Sequence, residues 1–115
     1  HGPEAEQAAR SAPDVYVVHQ GEIAQRPAFN AAEALRGAGF DVLFHCGGGS
    51  FKSQMKRADA SGAQVAVIFG DDEAREGSAS LKPLREDVPQ RRVPLDQLAD
   101  EIGNFLFGDD KNGDL

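Results

Sequence analysis

Three short stretches of this chain are apolar at every position, and amphipathic stretches separate them. Val15-Tyr16-Val17-Val18, Val42-Leu43-Phe44 and Val65-Ala66-Val67-Ile68-Phe69 are rich in β-branched and aromatic residues and show no polar alternation. Strands covered on both faces have this pattern. Between them the period lengthens. Over 27–38, Phe29, Ala32, Leu35 and Ala38 form an apolar stripe; Pro27 suits a first helical turn, and Gly37 and Gly39 mark the end. Over 51–61, Phe51, Met55 and Ala58 fall at i, i+4 and i+7, Ser50 precedes them as an N-cap, and Gly62 follows as a stop.

Strand–helix–strand–helix–strand predicts a parallel sheet with right-handed crossovers. After Phe69 the rhythm changes. Residues 78–84 and 91–94 read as two short strands with no helix between them long enough for a parallel crossover, so one runs antiparallel. Pro83 and Pro94 place them at an edge or at strand ends. Leu95, Leu98, Ile102, Phe105 and Leu106 then predict a final amphipathic helix, with Asp96 near its start to complement the dipole. The expected fold is α/β: a mixed five-stranded sheet with helices on both faces. Residues 1–13 lack apolar periodicity and read as a linker or cloning remnant. Residues 14–107 form the folded domain, and 108–115 read as a polar tail.

Length and composition narrow the class. A chain of 115 residues with 40% hydrophobic and 27% charged content is one globular domain. No apolar run approaches the roughly 18 residues of a membrane span, and no signal peptide opens the chain. Cys46 is the only cysteine, which excludes an intrachain disulfide and a cysteine-based zinc cluster. These features point to a cytoplasmic protein. The net charge of −7 argues against blanket attraction to phosphate. Yet Lys52, Lys56 and Arg57 form one basic group and Lys82, Arg85, Arg91 and Arg92 a second, more than half of the 12 basic residues. A surface patch for a polyanion and a solvated face with clustered charges both fit that distribution.

The chemistry-bearing residues leave several readings open. The glycine run at 47–49 opens into the 51–61 helix, as a phosphate cradle does, but it lacks the Lys-Ser/Thr of a Walker A loop and the spacing of a dinucleotide turn. Lys52 and Lys56 lie one turn apart, opposite Phe51 and Met55, and suit phosphate-backbone contact or a plain exposed face. His19 and His45 stand at expected carboxyl ends of strands, where ligand crevices form. With Cys46 they lack metal-ligand spacing; they suit base stacking, hydrogen bonding or strand capping. Asp71-Asp72-Glu73 follows a strand and a glycine, and fits a magnesium site, an acceptor for base amino groups or a charged turn. No serine, histidine and carboxylate stand in nucleophilic order, so no catalytic constellation is present.

Several of these segments together resemble one family. Residues 48–63 (Gly-Gly-Ser-Phe-Lys-Ser-Gln-Met-Lys-Arg-Ala-Asp-Ala-Ser-Gly-Ala) look like the second-helix motif of the C-terminal anticodon-binding domain of bacterial histidyl-tRNA synthetase, a class II aminoacyl-tRNA synthetase. Val67-Ile68-Phe69-Gly70-Asp71-Asp72-Glu73 is similar to the strand and acidic corner that follow there, and Leu81-Lys82-Pro83-Leu84-Arg85 to the fourth strand. The match runs from about Asp14 to Phe107. Threonyl-, prolyl- and glycyl-tRNA synthetases share the domain type. Phe51 departs from the leucine common at that place, with an equivalent role as a core anchor.

The resemblance implies a three-layer α/β/α fold with three main helices, strand order 2-1-3-4-5 and strand 4 antiparallel. It implies that the parent is a homodimeric ligase joining histidine to its tRNA with ATP and magnesium, and that this chain is a C-terminal piece without the catalytic domain, holding no cofactor or metal of its own. The expected partners are the anticodon loop of histidine tRNA and the absent catalytic domain, with neither membrane nor DNA. Unpaired loop bases present their edges and faces to a protein. The family's base-contacting loop falls on Gln20 and Glu22. Arg26 suits stacking or a phosphate, Phe44 and His45 end the second strand, and Glu73 suits a guanine amino group of a GUG anticodon. Lys82 and Arg85 suit bases or backbone, and Lys52 with Lys56 the loop phosphates. Two other classes fit the pattern: a small flavodoxin-like nucleotide- or phosphate-binding protein, or a regulatory interaction module derived from a synthetase.

Overall fold

A computed structural model describes residues 12–44 and 49–113. Strands β1 (Val15–His19), β2 (Val42–Phe44), β3 (Val65–Phe69), β4 (Ser78–Pro83) and β5 (Arg91–Pro94) form one five-stranded sheet in the order β2-β1-β3-β4-β5. β1 is parallel to β2 and β3, while β4 is antiparallel to both β3 and β5. The reversal at β4 follows from the link 70–77, too short to carry the chain back to the amino end of the sheet.

Among the described residues four α-helices accompany the sheet: α1 (Gln25–Gly37), α2 (Phe51–Ala60), α3 (Asp71–Glu76) and α4 (Leu98–Gly113). Every residue of β1 and β3 is buried, as the unbroken apolar runs predict. Val15, Val17, Val65, Val67 and Phe69 face α1 and α4, whose Ala28, Ala32, Leu35, Leu98 and Ile102 complete that core. Tyr16, Val18, Ala66 and Ile68 face α2 and meet Ala58, with Phe51 and Met55 at the margin. Among the described residues α2 is the helix packed on this second face, which also carries Ser80, Lys82 and Arg92 of β4 and β5.

Several expectations need correction. The buried stripe of α1 is Ala28, Ala31, Ala32 and Leu35; Phe29 is 48% exposed, and Ala38 is exposed beyond the helix. The helix begins at Gln25, so the small alanines pack on the sheet and Phe29 is turned toward its edge. β2 is not covered on both faces: Leu43 is 44% exposed, because β2 is an edge strand beyond the reach of α2. The acidic corner is the first turn of α3, where Asp71, Asp72 and Glu73 complement the helix dipole. The final helix itself runs as far as Gly113. Each added residue gains a backbone hydrogen bond without needing apolar burial.

Candidate nucleic-acid interface

The carboxyl ends of β1, β2 and β3 lie on one rim of the sheet, and the sequence closes that rim with specific local devices. The Gln20 backbone N–H donates to the Phe69 carbonyl at 2.9 Å, so the chain leaves β1 still attached to β3. Gly21 then turns at φ 97, and a Cβ on it would lie 2.1 Å from Asp71 Oδ1. Both the left-handed backbone and the approach to α3 require glycine. Gly21→Ala should therefore lower stability by about 1–2 kcal/mol, read by urea unfolding. Adding Asp71→Ala to relieve the overlap should recover only the steric part.

α2 is fixed to the same rim. Ser50 Oγ accepts from the Ser53 backbone N–H at 3.1 Å, which is the expected N-cap. One turn in, Gln54 is 1% exposed. Its Oε1 accepts from the His19 backbone N–H at 3.1 Å, and its Nε2 donates to the carbonyls of His19 (2.7 Å) and Gly49 (3.2 Å). The β1–β2 register ends at Val17↔Phe44, so His19 has no registered partner on that side. The Gln54 amide supplies the missing ladder contacts and pins the start of α2 to the end of β1.

At the same rim Gln20, Glu22 and Arg26 are exposed, and Phe44 is half-buried. Lys52, on the first turn of α2, is exposed, as is Lys56 one turn further along. Phe44 stacks on His19 with centroids 5.3 Å apart and 21° between planes. The expectation for His45 lies outside the described residues. His19 is 8% exposed, and its Nε2 has no hydrogen-bond partner among the described residues.

The second group of expected residues lies elsewhere. Because β4 is antiparallel, Lys82 pairs with Ala66 and Arg85 follows the strand's end, toward the amino ends of β1 and β3. Lys82 Nζ donates to the Val88 carbonyl at 2.8 Å. Arg85 donates to the Asp59 carbonyl at 3.0 Å and is ion-paired with the Asp59 carboxylate. The basic residues thus occupy two ends of the sheet rather than one continuous rim.

Glu73 is turned into the fold. Its Oε1 accepts from the Gly70 N–H at 2.9 Å and its Oε2 from Ser80 Oγ at 2.7 Å, with Arg92 at 3.6 Å. Burial pushes its pKa up, but hydrogen bonds from Ser80 and the backbone N–H groups of Glu73 and Gly70, with the charge of Arg92, together hold it below the ordinary glutamate value. A carboxylate so engaged has little left to offer a base. Among the described residues no group of three or more His, Cys, Asp or Glu side chains is placed to hold a metal ion.

Gln54 and Phe29 are the residues that sequence reasoning missed. Phe29 was hidden by its fit to a core stripe. Gln54, polar and flanked by Phe51 and Met55, carried a signal: it falls on the face that the helix presents to the sheet.

Residues 14–104 match the family described as "Anticodon binding domain". A curated relative, the histidine–tRNA ligase of Aromatoleum aromaticum, is 63% identical over 113 residues, spanning 98% of this chain and 25% of that protein. The crystal structure of histidyl-tRNA synthetase from Nostoc sp. PCC 7120 superposes with a TM-score of 0.76 at 32% identity, covering 83% of this chain and 23% of that one. The apo enzyme of S. aureus gives a TM-score of 0.71 at 26% identity, over 81% of this chain and 24% of that one. This chain thus spans about a quarter of the length of the curated relatives it matches. The chain belongs to the anticodon-binding domain family, in the form carried by histidine–tRNA ligases.

Proposed function

We propose that this chain binds the anticodon loop of histidine tRNA and serves as the recognition domain of a histidine–tRNA ligase. One observation supports the reading: Glu22, Arg26 and Phe44 line one cleft at the rim where β1 and β2 end, with Gln20 following β1 and Lys52 exposed on the first turn of α2. That rim combines groups that hydrogen-bond base edges, an aromatic face and two cations, which is the chemistry an unpaired loop requires. On this reading the parent is a cytoplasmic homodimer, and ligation with ATP and magnesium is the work of residues outside this chain. On the same reading neither a membrane nor DNA is a partner.

A titration of the 115-residue chain with a histidine-anticodon stem-loop tests the reading. Binding should weaken as salt rises, and a stem-loop with a scrambled loop should bind less well. Arg26→Ala and Lys52→Ala should each cost about 1 kcal/mol and flatten the log–log salt slope by about 0.7. Lys82→Ala and Arg85→Ala, at the other end of the sheet and already partnered, should change affinity less. Equal binding of both stem-loops at low salt would rule out anticodon recognition.

A further inference from the structure

The basic side chains of this chain differ in their surroundings. Arg36, Arg75, Arg85, Arg91 and Arg92 each stand within ion-pair distance of a carboxylate, and Lys82 donates to a backbone carbonyl. Lys52, Lys56 and Arg57 are exposed on α2 and have no carboxylate partner among the described residues. In a chain of net charge −7, three cations left unneutralised on one helix reverse the local sign of the surface.

Local structure concentrates that charge. Lys52 and Lys56 lie one turn apart, about 6 Å along the helix axis. Arg57 folds back toward the first turn: its Nη1 lies 3.6 Å from the point where a Cβ on Gly49 would stand. The amino end of α2, where the helix dipole is already positive, thus gains a further cation. Asp59 is the one carboxylate in the sequence of α2, and Arg85 neutralises it from beyond the end of β4. Gln54 ties the start of the helix to the end of β1, so the charges stand on an anchored support.

We infer that the exposed face of α2 is a phosphate track for a double-stranded RNA stem. The inference rests on the proposed RNA binding and adds the paired region as a second contact, apart from the rim that the loop would occupy. The make-up of the face favours a duplex over a single strand. Single strands are held by stacking on aromatic rings as well as by charge. The one aromatic residue of α2, Phe51, packs against the sheet. A stem keeps its bases inside and presents phosphates, for which lysine and arginine suffice. The helix also runs in the required direction, from the carboxyl rim, where Gln54 meets His19, to the opposite end of the sheet, where Asp59 meets Arg85. An RNA with its loop on the rim brings its stem along this flank.

Two RNAs with the same histidine-anticodon loop, closed by stems of four and of ten base pairs, test the inference with the 115-residue chain. The wild-type chain should bind the longer stem about tenfold more tightly at low salt, with a log–log salt slope steeper by about 2. Lys56→Gln combined with Arg57→Gln should remove that advantage and bring the two slopes together, with short-stem binding changed by less than about twofold. Lys56→Arg combined with Arg57→Lys keeps both charges and should retain the advantage. Arg91→Gln, on the far edge strand, should leave it unchanged. If the wild-type chain shows no gain from the longer stem, or if the neutral double variant keeps the gain, the track is wrong, even where a native loop still outcompetes a scrambled one. If the longer stem binds better whatever its loop, and the double variant removes the gain, the track stands although anticodon recognition fails.

Discussion

Gln54→Ala should lower the unfolding free energy by about 3 kcal/mol, the largest effect of any single polar substitution proposed for this chain. The side chain is 1% exposed and makes three hydrogen bonds at the seam between β1 and α2. Truncation leaves the His19 N–H and C=O without partners in a dry site, at roughly 1–3 kcal/mol for each unsatisfied group, and opens a cavity. Part of that cost is recovered if water enters. Against a total stability of about 5–15 kcal/mol, the loss is large. Urea unfolding at neutral pH measures it. Gln54→Glu gives a sharper test of mechanism. It keeps an acceptor for the His19 N–H, removes the donor to the His19 carbonyl and places a charge in a buried site. Its folded-state pKa is then raised by burial, so its deficit should be greatest at neutral pH and shrink as pH falls and the carboxyl gains a proton. A deficit independent of pH would show that the site admits water. Function should follow stability here, because the same contacts hold the start of α2 to the end of β1.

The legible parts of this fold are those fixed by local rules. β1 and β3 stand out because strands buried on both faces need apolar residues at every position, and both are buried throughout. The antiparallel turn at β4 follows from the length of the preceding link. Ser50 declares the start of α2 because an N-cap is a local requirement. What stayed hidden depends on partners distant in sequence. An apolar residue in a helical stripe does not reveal whether smaller neighbours will displace it, and Phe29 yields its place to Ala28 and Ala32. Leu43 looks like a core residue until β2 proves to be the edge strand.

The site is legible only through the family resemblance, which assigns Gln20 and Glu22 to the base-contacting loop and brings Lys82 and Arg85 into the same set. The expected antiparallel β4, carried one step further, would have placed residues 82–85 at the opposite end. Glu73 shows the limit of composition: an acidic cluster reads as a surface feature until one member proves to reach Ser80, seven residues on and across the start of β4.

Glu73 also sets the second large expectation. Glu73→Ala should cost about 2–3 kcal/mol at neutral pH, because it strips acceptors from the Gly70 N–H and the buried Ser80 hydroxyl and leaves Arg92 with Glu76 alone. Glu73→Gln keeps an oxygen for Gly70 and the side-chain volume, so about 1 kcal/mol is expected, mostly from loss of the charge that Ser80 and Arg92 favour. The pH dependence isolates that charge. The folded-state pKa lies below the ordinary value, so the folded protein binds fewer protons at this site than the unfolded chain does. The contribution is fully present above the unfolded pKa of about 4.3 and is lost as pH falls through the lower folded value. The stability gap between the wild-type chain and Glu73→Gln should therefore be constant from about pH 7 to pH 5 and close progressively below about pH 4. Taking the difference between the two proteins cancels whatever they have in common. A gap that persists unchanged to pH 3 would mean that shape and hydrogen bonding, rather than ionisation, hold α3 to β4.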